Sequence, residues 1–125
     1  MIDDFKLIQR AKEVVNPRQL SQSVTAGGVG CALITKQGNV YVGVCIDTAC
    51  SLGFCAEHNA IGNMITNGES KIESIVAINR FEKILAPCGR CREFIYQVDK
   101  DNANTRVILE NNRALSLEEL LPERG

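Results

Sequence analysis

Two cysteine groups, Cys55-Ala56-Glu57 and Pro87-Cys88-Gly89-Arg90-Cys91, constrain this chain more tightly than anything else in it. Each falls at the start of a predicted helix, one over Cys55 to Ile65 closed by Asn67-Gly68, the other over Cys88 to Val98 behind Pro87. A helix N-terminus carries unpaired N–H groups and partial positive charge, which draw a thiol toward the metal-binding thiolate. The two-residue gap lets Cys88 and Cys91 chelate one ion, and Cys55 offers a third ligand. Three protein ligands leave one tetrahedral position open to water, which separates a catalytic zinc from a closed structural one. Glu57 lies two residues beyond Cys55, close enough to reach that water without ligating the metal. There is a single histidine, His58, so zinc sites built on two or three histidines are excluded. The six cysteines, at 31, 45, 50, 55, 88 and 91, read as ligands, reactive thiols or small core residues rather than disulfide partners.

The rest of the chain offers a scaffold for those two helix starts. A length of 125 residues predicts one domain, over 1–125, and 45% apolar with 23% charged residues is the composition of an ordinary globular protein. The charge is 14 minus 15, or −1, which supplies no footprint for a phosphate backbone, so nucleic acid is not an expected partner. No apolar run approaches the ~18 residues of a membrane span. The acidic start, Asp3-Asp4, lacks the layout of a signal peptide, and the expectation is a soluble, cytoplasmic protein.

Leu7, Ile8, Ala11, Val14 and Val15 form a helical stripe over 4–15 behind Asp3/Asp4, ended by Asn16-Pro17. Ser21 to Gly28 reads as loop, with Gly27-Gly28-Val29-Gly30 as turn chemistry. The runs Val29 to Thr35 and Val40 to Ile46 read as a hairpin through Gly38-Asn39. Further strands are predicted over Ile72 to Ile78 and Thr105 to Glu110, and Ser116-Leu117-Glu118-Glu119 is a capping box opening a last helix stopped by Pro122. The order α-β-β-α-β-α-β-α predicts an α/β fold with a mixed sheet whose later strands run parallel.

The pair Cys-Ala-Glu and Pro-Cys-x-x-Cys matches the zinc nucleobase-deaminase signature. The chain resembles the cytidine deaminase superfamily, and within it the small nucleoside cytidine deaminases and blasticidin-S deaminases. That resemblance rests on Val29-Gly30-Cys31-Ala32-Leu33, Gly43 to Glu57, Cys88-Gly89-Arg90-Cys91-Arg92-Glu93 and Glu118-Glu119-Leu120-Leu121-Pro122. It implies a three-layer α/β/α sandwich, a zinc ion on Cys55, Cys88 and Cys91, and a homotetramer. The implied reaction is hydrolytic deamination of a cytosine nucleoside such as cytidine or deoxycytidine by zinc-bound hydroxide, with Glu57 as proton shuttle. Zinc can lower the pKa of water from about 15.7 to about 7, roughly 12 kcal/mol. Three thiolates leave the centre at −1, and helix N-termini with Arg90 are the expected compensation. Relatives often carry Arg where this chain has His58, which is expected beside the metal or simply on the helix face. Backbone groups near Ala56 and the carbonyl of Ala86 or Pro87 are implied base contacts.

Several residues depart from that family's pattern. Where nucleoside deaminases carry Asn-x-Glu for the ribose, this chain has Cys45-Ile46-Asp47, with Asp47 keeping a carboxylate on a shorter arm. A stacking Phe is replaced by Gly27, and Phe54 is the substitute apolar contact. Cys31 and Cys45 are expected as core residues. The sugar side is therefore open, and a cytosine nucleoside analogue such as blasticidin S is the alternative substrate, with salvage and detoxification both open. An alternative of another class is a non-catalytic binding module closed by a fourth thiolate, Cys50.

Overall fold

The computed structural model describes residues 2–125. A first helix, α1 (Asp4–Val14), is capped by the Asp3 carboxylate, which accepts the Lys6 N–H at 2.9 Å. Then come β1 (Arg18–Gln19), β2 (Thr25–Thr35), β3 (Val40–Asp47), a 3-10 turn at Ala49–Ser51, and α2 (Ala56–Thr66). The second half holds β4 (Ile72–Asn79), β5 (Ile84–Leu85), α3 (Gly89–Val98), a 3-10 segment at Lys100–Asn104, β6 (Arg106–Leu109), β7 (Arg113–Ser116) and α4 (Leu117–Leu120).

All seven strands share one sheet. β2 lies between β3 on one edge and β1 with β4 on the other; β4 then pairs β5 and β6, and β6 pairs β7. Only β4 and β6 run parallel, joined through α3, while the other pairings are antiparallel. The predicted mixed sheet is therefore observed.

Alternation along the central strands assigns the two faces. Cys31 and Leu33 of β2 and Ile75 and Ala77 of β4 pack with Ile61, Met64 and Ile95 of α2 and α3. Ala32, Ile34, Val76 and Ile78 pack on Leu7 and Ala11 of α1. A central strand buried on both faces reads as a continuous apolar run, which is why β2 and β4 look like β-branched stretches in the sequence. The result is the three-layer α/β/α sandwich.

The structure corrects two boundaries. The stretch Ser21 to Gly28 is not all loop, since β2 begins at Thr25 and is paired on both edges there. Gly27-Gly28-Val29-Gly30 lies inside that strand, at an irregularity between Ala26 and Gly30 where Gly27 adopts φ +87°. The short strands β1, β5 and β7 have no counterpart in the sequence prediction. The capping box is present: Ser116 Oγ accepts the Glu119 N–H, and the Glu119 carboxylate accepts the Ser116 N–H at 3.0 Å.

Two contacts set where α2 and α3 begin. α2 lies directly on β3: a Cβ at Gly43 would come within 2.8 Å of Asn59, and Asn59 Nδ2 donates to the Val44 carbonyl at 3.1 Å. Asn102, fully buried, accepts the Ile72 N–H at 2.9 Å and donates to the carbonyls of Ser70 and Ile95 at 2.9 and 3.0 Å. It thereby ties the end of α3 to the start of β4. Asn102→Ala deprives those three backbone groups, two of them buried, of this partner, and equilibrium urea unfolding should show a loss of about 2–4 kcal/mol; a change near zero would mean that the amide is not what joins α3 to the sheet.

Candidate metal centre

Cys55 and Cys88 are the N-cap residues of α2 and α3, both in extended backbone. Cys91 sits in the first turn of α3 and is fully buried. The Cys55 and Cys88 sulfurs are 3.7 Å apart, and the Cys88 and Cys91 sulfurs 3.5 Å. Metal–sulfur bonds of 2.3 Å at tetrahedral angles place two sulfurs about 3.8 Å apart, so both pairs that include Cys88 are close to the spacing of a zinc site.

His58 joins them. Its Nδ1 lies 3.4 Å from the Cys91 sulfur, and its ring stacks on Phe94 with centroids 4.4 Å apart and an interplanar angle of 10°. The donor atoms of Cys55, His58 and Cys91 all lie within 4.8 Å of one another. Of the two readings of His58, the structure supports the one beside the metal site.

The electrostatics fit a cation at this place. Burial pushes the Cys91 thiol far above its ordinary range, with the Glu57 charge and the neighbouring thiols adding to it. Burial likewise raises Cys55; the Cys91 hydrogen bond opposes this, and Cys88 and Glu57 reinforce it. Burial acts in the same sense on Cys88 but is outweighed together by the Cys91 amide, the Cys91 and Cys55 thiols and the Arg90 amide, so this thiol falls below its usual value. Thiols this close repel one another once ionised, and a dication between them removes that repulsion. His58 is lowered, first by burial and then by the positive charge of Arg90, which favours the neutral ring.

Glu57 is 6% exposed, and burial raises its carboxyl above the usual range, partly offset by its own backbone N–H. It borders an open cleft of about 920 Å³ together with Cys55, Ala56 and Cys88. Cys45, Asp47, Phe54, Ala86 and Arg90 line the same cleft, whereas Pro87 does not border it. His58 and Cys91 lie behind this wall.

Cys45 has two roles in the structure. It packs against the core, as expected, and its sulfur accepts the Val29 N–H at 3.3 Å, while its thiol lies 3.9 Å from an Asp47 carboxylate oxygen. Phe54 is held by two 3.0 Å backbone hydrogen bonds with Ile46 and keeps 37% of its surface exposed. Cys31 is core, as expected, and burial drives its thiol well above the ordinary range. Cys50 is exposed in the 3-10 turn and takes no part in the contacts among Cys55, Cys88 and Cys91. The four-thiolate closure therefore has no geometric support.

The chelate loop is braced by an arginine. The Pro87 carbonyl accepts Arg92 Nε at 2.8 Å, and Arg92 Nη1 reaches the Leu120 carbonyl at 3.0 Å. Arg92 thus clamps the chelate loop to α4, and of the two carbonyls implied as base contacts Ala86 belongs to a residue that borders the cleft. No sequence pattern marks this arginine as a clamp. The replacement of an aromatic by Gly27 also has a local cause, since a Cβ there would collide with the Asn16 carbonyl and the φ is positive.

Residues 1–106 match the cytidine and deoxycytidylate deaminase zinc-binding region. Over 106 residues, the chain is 34% identical to the blasticidin-S deaminase of Bacillus cereus, covering 75% of this chain and 74% of that one. It is 30% identical over 97 residues to the cytidine deaminase of Mycoplasma genitalium, with 74% of each chain covered. A solved cytidine deaminase of Mycobacterium leprae superposes with a TM-score of 0.82 at 21% identity, over 98% of this chain and all (100%) of that one, which shows the shared fold. Zinc is thus the metal of this site. No helix among the described residues is long and apolar enough to cross a membrane.

Exposure and burial separate the thiols chemically. Brief alkylation of the zinc-loaded protein near pH 8, mapped by peptide mass spectrometry, should modify the exposed Cys50 ahead of Cys88 and leave Cys31 unmodified until the protein is unfolded; early labelling of Cys31 would contradict its place in the core.

Proposed function

The chain belongs to the cytidine and deoxycytidylate deaminase family, and from that premise we propose that this zinc-dependent aminohydrolase replaces the ring amine of a cytosine nucleoside with oxygen. Water is consumed and ammonia released, as from cytidine or deoxycytidine. The observation that carries the reading is Glu57, a buried carboxyl bordering the cleft beside the thiols at two adjoining helix starts. We assign Cys55, Cys88 and Cys91 as the residues that hold zinc. Zinc supplies Lewis acidity that makes water a nucleophile near neutral pH.

The remaining work falls to side chains around it. Glu57 takes a proton from the attacking water and returns protons to the ring nitrogen and the departing ammonia. Its raised pKa suits both directions of transfer, because a carboxyl of ordinary acidity gives up a proton readily but holds one poorly. His58 braces Cys91 from behind the cleft wall. The Arg90 guanidinium offsets the negative charge of the thiolates. Ala56 and Ala86 present backbone groups to the ring, Phe54 an apolar contact, and Asp47 an acceptor for a sugar hydroxyl.

A second reading has its own support. The 34% identity to a blasticidin-S deaminase, together with Cys45 and Gly27 on the sugar side, favours a cytosine nucleoside analogue such as blasticidin S. Either substrate is a small molecule handled by one domain, which we place in the cytoplasm as a homotetramer.

Ammonia release and loss of the aminopyrimidine absorbance, measured on the zinc-loaded protein with cytidine, deoxycytidine, cytosine and blasticidin S, test the proposal. Turnover of at least one is expected, and Glu57→Gln should lower kcat by at least about 100-fold while metal content stays near one zinc per chain. Undiminished turnover by that variant would remove Glu57 from the chemistry. Elemental analysis separates the ligand assignments: Cys88→Ser should lose most of its zinc, whereas His58→Ala should retain it. The reverse pattern would make His58 the ligand and Cys88 a bystander.

A further inference from the structure

The chain enters Cys88 through a peptide that is held from outside the loop. Pro87 has no N–H, so its carbonyl is the one backbone hydrogen-bonding group it offers. The peptide it forms with Cys88 is planar, and fixing that oxygen fixes the direction in which the chain reaches Cys88. Arg92 Nε donates to the Pro87 oxygen at 2.8 Å, and Arg92 Nη1 to the Leu120 carbonyl at 3.0 Å. One rigid guanidinium fork therefore spans the entry to Cys88 and the last residue of α4.

α4 is a single turn, too short to hold its own place. Its start is fixed by the buried Leu117, whose N–H donates to the Thr105 carbonyl at 2.9 Å. Its end presents carbonyls with no partner in the helix, where positive charge is favoured. Arg92 takes the Leu120 carbonyl from α3, and Arg124 Nη1 takes the next one, Leu121, at 3.4 Å. Arg124 also pairs with Glu118 of α4 at 3.0 Å and lies 5.5 Å over the Tyr96 ring. The Tyr96 hydroxyl donates to the Gly125 carbonyl at 2.9 Å. Arg92 and Tyr96 stand four residues apart on α3 and so share one face of that helix. Residues 121–125 thus fold back onto the face that carries the clamp, and they pin the end of α4 that Arg92 holds.

We infer that Arg92 is a positioning residue for the Cys88 thiol, and that Arg124 and Tyr96 act on the same thiol through α4, so that residues 121–125 govern how tightly the chain retains zinc. The inference rests on the assignment of Cys88 as a zinc ligand. Groups that orient a metal ligand without touching the metal set affinity by about 10- to 100-fold.

Competition with a chromophoric chelator reads the zinc dissociation constant, on protein shown to be folded by circular dichroism with and without the metal. Arg92→Gln should raise that constant about tenfold or more, and Arg92→Lys, which keeps the charge but not the fork, should raise it less. Arg124→Gln and Tyr96→Phe should each weaken binding by about twofold or more. In an Arg92→Gln background the Arg124 change should add little, because the link it acts through is gone. The visible bands of cobalt-substituted Arg92→Gln protein should shift, a signature of ligand geometry that loss of stability alone does not move. Unchanged zinc affinity in folded Arg92→Gln protein would overturn the positioning role. Where that variant does not fold, Arg92→Lys and Arg124→Gln carry the test, and unchanged affinity in both would overturn it equally. Fully additive effects of the two arginines would overturn the coupling through α4. Full zinc affinity in Cys88→Ser would count against the ligand assignment, whereas zinc loss there with unchanged affinity in the arginine variants would count against the clamp alone.

Discussion

Cys55 and Cys88 each cap a helix, and their sulfurs meet 3.7 Å apart because α2 and α3 start side by side on the same face of the sheet. The start of α3 turns the amides of Cys91 and Arg90 toward the Cys88 sulfur, while burial keeps the Cys55 thiol at the start of α2 raised. Neither start suffices alone, since ionised thiols at this spacing repel each other. A dication resolves that conflict, so the metal and the packing of two helices are one constraint. Glu57 inherits its place from the same geometry, lying on the first turn of α2 with its carboxyl buried at the cleft wall.

What holds the two starts together lies elsewhere in the fold. A strand with no side chain at Gly43 lets α2 approach β3 at backbone distance, and the buried amide of Asn102 fastens the far end of α3 to β4. Arg92 joins the chelate loop to α4 by way of two carbonyls. These contacts are polar or steric and few, but each acts on a rigid element, so a displacement at one end reaches the sulfurs at the other.

Much of this is legible in the residues. Asp3 and the Ser116-Glu119 box announce their helices because a side-chain cap needs a particular residue at a particular spacing. Cys55 and Cys88 carry chemistry at helix starts, and Pro87 marks the second. The short strands are not legible. Arg18-Gln19 is polar, exposed and two residues long, so no alternation marks it, and pairing with β2 alone makes it a strand. β7 has only a weak signal, the Asn111-Asn112 pair: both adopt positive φ, the conformation a tight hairpin turn requires. The start of β2 hides behind its glycines. Arg92 and Arg124 could not be assigned from sequence, because what they do depends on which carbonyl or ring the fold brings to them.

The proposed centre is three thiolates from two helix starts sharing one zinc whose fourth position is left for water. X-ray absorption at the zinc edge of the loaded protein reads that shell directly. Three sulfurs at about 2.3 Å with one oxygen or nitrogen at about 2.0–2.1 Å is the predicted result. Four sulfurs would mean that another thiol closes the site and leaves Glu57 nothing to activate, and two sulfurs with two lighter atoms would mean that one of the three cysteines is not a ligand.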